Sequence, residues 1–150
     1  MKTEYEMVKE FMQTFGQECP SEFVVPSEST RNLRDNLFSE EHTELKDAKD
    51  KVAYLDAVCD KLYVTFGDAV AAGIDAHTLL AAFAEVHRSN MSKLWTWSEV
   101  VSDGRYLRGE LNVRLVATAT LPKQWLVQRL DGKVLKSPSY SPAQLEQFCQ

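Results

Sequence analysis

The chain has 150 residues, of which 44% are hydrophobic, and a formal net charge of −5. That apolar content suffices for one domain with its own core, which excludes a disordered chain and one that folds only around disulfides or a structural metal. An acidic chain with dispersed basic residues also excludes an electrostatic nucleic-acid surface, and an anionic ligand would need a cation to bridge it to this protein.

In chain order, Thr3 with Glu6 forms a capping-box pattern, and Met7, Val8, Phe11, Met12 and Phe15 recur at helical spacing until Gly16 stops the first helix. The run QECPSEFVVPSEST, Gln17 to Thr30, holds two prolines and many small polar residues and reads as a loop. A second helix is predicted from Thr30 or Asn32, with Leu33, Leu37, Leu45 and Ala48 on its buried side. A third follows from about Val52, bearing Leu55, Val58, Cys59, Leu62, Tyr63, Phe66, Val70 and Ala71, with Gly73 as its stop. Asp75 is placed to cap a fourth, which runs through Leu79, Leu80, Phe83 and Val86 to about Asn90.

After Lys93 the texture changes. Asp103-Gly104 is a turn signal, and NVRLVATAT and QWLVQRL are rich in β-branched and apolar residues, with Leu121-Pro122 between them as a hairpin connection. Residues 95 to 136 therefore read as a β-ribbon arm, structural or oligomerising, inserted in a single helical domain spanning residues 1 to 150. Within SPSYSPAQLEQF, Ser141-Pro142 marks the start of a short last helix. The three cysteines, Cys19, Cys59 and Cys149, are far apart and form no CxxC, which argues against a disulfide framework or a zinc site and for a reducing cytoplasm. MKTEYEMVKE has no signal-peptide character and no apolar run approaches membrane-spanning length, so the expectation is a soluble, unexported protein.

Chemistry concentrates in the acidic residues. On a helix Glu41 and Glu44 lie about 60° apart, and Asp56 and Asp60 about 40° apart, so each pair shares a face. In one continuous helix Glu44 and Asp60 would be roughly 24 Å apart, beyond the reach of any single ion. If the chain instead folds back near Asp50, Glu41 comes level with Asp60 and Glu44 with Asp56. Four converging carboxylates repel by roughly 3 kcal/mol per pair at about 5 Å and an effective dielectric near 20, so the cluster calls for a cation or for protonation. All-oxygen ligation with room for water suits Mg²⁺ or Mn²⁺. On spacing alone, a solvated acidic face accounts for the pattern as well.

These residues resemble the signature of the MazG-like all-α nucleoside triphosphate pyrophosphohydrolases, EExxE followed after a gap by ExxD: EEHTE at Glu40 to Glu44, then DAVCDKLYVTFG from Asp56. Two further blocks, EVHRSNMSK at Glu85 to Lys93 and DGKVLKSPSYSP at Asp131 to Pro142, together with FGQECP and RDNLFSEE, resemble the branch related to phosphoribosyl-ATP pyrophosphohydrolase, which phage genomes often carry. The resemblance covers nearly the whole chain except about Trp95 to Arg129, where that branch has a much shorter link. It implies a mainly α bundle completed by oligomerisation, here with a C-terminal β-ribbon arm. It also implies hydrolysis of a nucleoside triphosphate to its monophosphate and pyrophosphate, with two or more Mg²⁺ or Mn²⁺ ions per site.

Carried over residue by residue, the resemblance makes Glu41, Glu44, Asp56 and Asp60 the metal ligands. Glu40 or Glu41 becomes the base for the attacking water. The Glu of ExxD falls on Ala57, which cannot ligate, so its role passes to Asp56 one residue earlier and still on Asp60's face. Ser89, Asn90, Lys93, Lys133 and Lys136 become the groups that bind the phosphates. His42 reads as a surface residue, His87 as a nucleotide contact or a plain helix-end histidine, and Trp95, Trp97 and Trp125 as packing residues rather than base-stacking ones. A di-iron site is disfavoured because no Glu-x-x-His pairs are present. Among substrates a purine such as dGTP or GTP, as in the phage MazZ type, is preferred. The alternatives are a house-cleaning enzyme for dUTP, dCTP or a damaged nucleotide, and a non-catalytic nucleotide or metal binder. The expected partners are the triphosphate and further copies of the chain, as a dimer or tetramer, with no nucleic-acid polymer and no membrane. The expected location is the cytoplasm of a bacterium or a phage-infected host cell.

Overall fold

Capping chemistry starts the first helix, α1 (Glu4–Thr14): the Thr3 hydroxyl accepts from the Glu6 N–H at 3.3 Å, and the Glu6 carboxylate accepts from the Thr3 N–H at 2.8 Å. In the computed structural model, residues 1–103, 112–118 and 120–149 are described. Two compact units make up the chain, Met1–Leu80 and Ala81–Gln150.

In the first unit α1 buries Tyr5, Val8 and Met12 against Ala69, Val70 and Ala71 of α3 (Lys51–Ala71), with Phe66, Ile74 and Leu79 around them. The stripe is one position off the apolar spacing in the sequence. Met7, Phe11 and Phe15 stay exposed, while Tyr5 goes inside because its phenol donates to the Ile74 carbonyl at 2.7 Å. The second helix, α2 (Glu28–Asp47), begins ahead of Thr30 because Ser27 is the N-cap and accepts from the Thr30 N–H at 3.2 Å. It buries no residue completely: Leu37, Leu45 and Ala48 are half-buried and Leu33 is exposed. Gly73 ends the α3 turn with φ 68°, and a Cβ there would run into the Glu22 carbonyl, because the 17–27 loop lies across it with Val24 N–H bonded to the Ala72 carbonyl at 2.9 Å. Asp75 then caps α4 (Ala76–Met91), accepting from His77 and Thr78 N–H groups.

The turn near Asp50 is present. Between α2 and α3 only Ala48 to Asp50 remain outside helix, and the Asp50 carboxylate accepts from both Val52 and Ala53 N–H groups at 2.9 Å. Without glycine or proline, a single N-cap aspartate redirects the chain into an antiparallel hairpin.

The second unit holds the end of α4, a two-residue strand β1 (Trp95–Thr96), α5 (Trp97–Asp103), β2 (Val113–Ala117) and β3 (Gln124–Arg129). The sheet is antiparallel in the order β1-β3-β2, with Leu115 opposite Val127 and Trp95 opposite Trp125. Its core is Trp95, Val100 and Val127, backed by Val113, Leu115, Trp125 and Leu135. The β2–β3 hairpin through Leu121-Pro122 forms as expected. Two expectations need correction. Residues 97 to 103 are helical instead of ribbon, since Thr96 and Glu99 make a second capping box: Thr96 N–H donates to the Glu99 carboxylate at 2.7 Å and Glu99 N–H to the Thr96 hydroxyl at 3.3 Å. The helix expected from Ser141 is reduced to a 3₁₀ turn at Glu146–Phe148, because the backbone before it bonds elsewhere: Ser141 to the Ser92 hydroxyl, and Gln144 N–H to Glu85. The Asp103-Gly104 turn and part of the NVRLVATAT run fall outside the described residues.

The architecture is thus mainly α, with a small three-stranded antiparallel sheet toward the C-terminus. Among the described residues no single helix is long and apolar enough to cross a membrane.

Candidate functional site

Contacts across the α2–α3 hairpin establish its register independently of the acidic residues. Arg34 bonds Asp68, the Lys61 ammonium lies 3.3 Å from the His42 ring nitrogen, and it sits 4.9 Å from the centre of the Phe38 ring. The midpoints of these pairs all fall within two residues of Asp50, so Glu41 stands level with Asp60, and Glu44 with Asp56.

The electrostatics agree with that register. The Glu41 carboxyl is pushed above the usual carboxylate range, first by burial and then, in decreasing order, by the negative charges of Asp60, Glu44, Glu40 and Asp56. Every acidic residue singled out in the sequence therefore acts on one carboxyl group. Glu41 and Asp60 are half-buried, facing into the hairpin, while Glu40, Glu44 and Asp56 are exposed. Ala57 is only 2% exposed, so the position where the signature has glutamate holds a buried methyl group, and Asp56 meets solvent beside it. As they stand, no three His, Cys, Asp or Glu side chains among the described residues are gathered closely enough to hold a metal ion. The donor chemistry, carboxylate oxygens without sulfur or imidazole, fits a hard divalent cation that retains water in its shell.

In the second unit, Tyr140 organises most of the residues expected to bind phosphate. The buried Ser89 hydroxyl donates to the Tyr140 phenol oxygen at 3.2 Å, and the Lys136 ammonium lies 4.1 Å from the centre of its ring. The phenol is pulled below its usual range by the Ser89 hydrogen bond and then by the Lys136 and Lys93 charges. Lys93 also donates to the Asn90 side-chain oxygen at 2.6 Å. Ser89, Asn90, Lys93 and Lys136 are thereby brought together. Lys133 is exposed in the turn after β3, and no hydrogen bond or ion pair described joins its side chain to the others.

Sequence reasoning passed over three residues here. Tyr140 sits inside the quoted SPSYSP run. Glu85 and Arg88 form an i,i+3 ion pair at 2.7 Å that ties down the C-terminal segment through the Pro142 carbonyl and the Gln144 N–H. Their spacing within EVHRSNMSK was the available signal. His42 and His87 are exposed. Trp95 is buried in the sheet core, Trp125 packs beside it, and Trp97 lies 5.2 Å from Trp125.

A family model described as phosphoribosyl-ATP pyrophosphohydrolase matches residues 8–90, more than half of the chain. No curated protein matches it.

Proposed function

Because the chain belongs to the phosphoribosyl-ATP pyrophosphohydrolase family, within the MazG-like all-α superfamily of nucleotide pyrophosphohydrolases, we propose that it hydrolyses a nucleoside triphosphate to the monophosphate and pyrophosphate, with a purine such as dGTP or GTP as the preferred substrate. The observation that carries the reading is the Glu41 carboxyl, half-buried in the α2–α3 hairpin and acted on by Asp60, Glu44, Glu40 and Asp56 together. Carboxylates that act on one another in this way, in the matched part of the chain, are the donor set a hard divalent cation takes.

Glu41, Glu44, Asp56 and Asp60 would hold Mg²⁺ or Mn²⁺, and the bound cation would supply charge screening and an acidified water. Glu41, with its affinity for protons raised, or the exposed Glu40 beside it, accepts the proton of the water that adds to phosphorus as pyrophosphate leaves. Lys93 and Lys136, with Ser89 and Asn90 as hydrogen-bonding neighbours, neutralise phosphate oxygens on the second unit.

The protein works as a homo-oligomer. Leu55 and Leu62 on α3 are 64% and 54% exposed, and Leu33, Val52 and Tyr54 are similarly uncovered, an apolar load that a hairpin in water sheds by packing against another copy.

The test is a panel of the eight common triphosphates, phosphoribosyl-ATP, and a dUTP and dCTP competition, with Mg²⁺ and coupled detection of pyrophosphate. Release of pyrophosphate from a purine triphosphate ahead of the others supports the reading. Preference for dUTP or dCTP moves the enzyme to the house-cleaning class, and binding without turnover of any compound makes it a non-catalytic relative.

A further inference from the structure

The family match ends at residue 90. Immediately beyond it, within the second unit, an open cleft of about 630 Å³ lies between the end of α4 and the β2–β3 hairpin. Its walls are mainly apolar, with Leu94, Leu126 and Val134 prominent, and its polar side chains are Asn90, Thr118, Thr120 and Lys93. Volume and lining match those of small-molecule sites, which hold about 300–1,000 Å³ and orient their ligand through a few polar groups.

Charge narrows the occupant. Among the described residues no carboxylate lines the cleft, although the chain as a whole is acidic. Among the described residues Lys93, at the cleft, bonds the neutral Asn90 side chain and has no carboxylate partner. Lys136, two residues after Val134, acts on the same Tyr140 phenol as Lys93 and so extends the positive field from this side of the unit. An anion with a flat apolar body and polar edges satisfies every wall at once: apolar faces against Leu94, Leu126 and Val134, edge groups against Asn90 and Thr118, phosphate against Lys93.

We infer that this cleft is a nucleobase pocket whose Lys93 holds the phosphate next to the sugar, so that the segment following the family's matched region sets base preference. The inference rests on the reading of the protein as a nucleotide hydrolase, and its test separates the two. Full-length protein in EDTA is titrated calorimetrically with the four deoxynucleoside monophosphates, for wild type, Leu121→Trp and Lys93→Gln. Leu121 lines the cleft and is 37% exposed, so a tryptophan there can fill the space without entering the core. Lys93→Gln removes the charge and leaves the apolar walls.

Wild type is expected to bind at least one monophosphate without metal, at least tenfold more weakly in each variant, with unchanged circular dichroism. In Mg²⁺ the same variants raise KM for the triphosphate while kcat moves only a few-fold. Wild type that binds no monophosphate, or a Leu121→Trp variant with native affinity and KM, overturns the pocket even in an active hydrolase. Should Leu121→Trp fail to fold, native affinity in Lys93→Gln overturns it equally. Cleft-dependent binding in a protein that turns over no triphosphate instead overturns the hydrolase reading and leaves the pocket standing.

Discussion

Arg34 reaches from α2 across to α3, where its Nε donates to Asp68 Oδ1 at 2.7 Å and its other arm bonds the Val64 carbonyl. The guanidinium lies directly over Gly67, where an added Cβ would collide with it. Gly67→Ala gains about 1 kcal/mol of helix propensity inside α3 but pushes the Arg34 head group off its Asp68 and Val64 bonds, so the net loss should be about 0.5–2 kcal/mol, read as a lowered urea midpoint. Asp68→Asn should cost only about 0–1 kcal/mol, because Asp68 is largely exposed and its ion pair is screened. Equal losses in the two variants would mean that charge, not the space over Gly67, holds Arg34.

Glu41 gives a prediction with a definite sign. Its folded carboxyl binds a proton more readily than an unfolded one, so its charge costs stability at neutral pH, and that cost fades as the pH falls through the folded value. In EDTA, Glu41→Gln should melt above wild type at pH 7 despite losing turnover. Saturating Mg²⁺ or Mn²⁺ should raise the wild-type Tm and raise that of Glu41→Gln less. A Tm indifferent to both ions would remove the cation from the hairpin.

Glu44→Gln and Asp60→Asn should each abolish turnover while leaving the helical circular dichroism largely intact, since neither side chain is part of the buried core. Asp56→Asn tests whether the exposed neighbour of Ala57 has taken over the missing ligand position. Loss of activity there with retained folding supports that transfer, and full activity in any of the three variants contradicts its assigned role.

The Arg88 hydrogen bond, followed by the Gln144 N–H, holds the Glu85 carboxyl down from 4.5 to about 2. A depressed carboxyl contributes stability above its unfolded pKa and loses it as the pH falls through the folded one. The tie between α4 and the segment around Gln144 should be complete above pH 4.5 and released toward pH 2. Hydrogen exchange should show Gln144 losing protection over that window, and Glu85→Gln should show the loss already at pH 7. Unchanged protection in the variant would mean that Ser92 and Ser141 hold the segment alone.

Light scattering should find a dimer or larger assembly at micromolar concentration. Leu55→Glu or Leu62→Glu should shift it toward monomer, since either places a charge on the uncovered face of α3. A monomeric wild type would leave that face to some other cover.

Much of the first unit is legible in the sequence. Thr3 with Glu6, Asp50 and Asp75 each start a helix where their side chains predict it, and Gly73 ends one, because caps depend on a few neighbouring residues. The level pairing of Glu41 with Asp60 and Glu44 with Asp56 followed from counting outward from Asp50. The start of α5 was equally available in Thr96-Trp-Ser-Glu99, a capping box hidden by the β-branched texture around it. The missing helix after Ser141 was not available, since its backbone partners, Ser92 and Glu85, lie some fifty residues earlier.

The starts of α1, α3 and α4 and the order of the carboxylates along α2 and α3 are local properties, written into capping residues and spacing, and the amino-acid order alone settled them. Shielding is not local. Packing of α3 against α2 turns Glu41 and Asp60 inward, leaves Glu40, Glu44 and Asp56 in water, and closes a methyl group over position 57. Which carboxylate bears the field of the other four depends on distances between segments, and only the folded chain sets those.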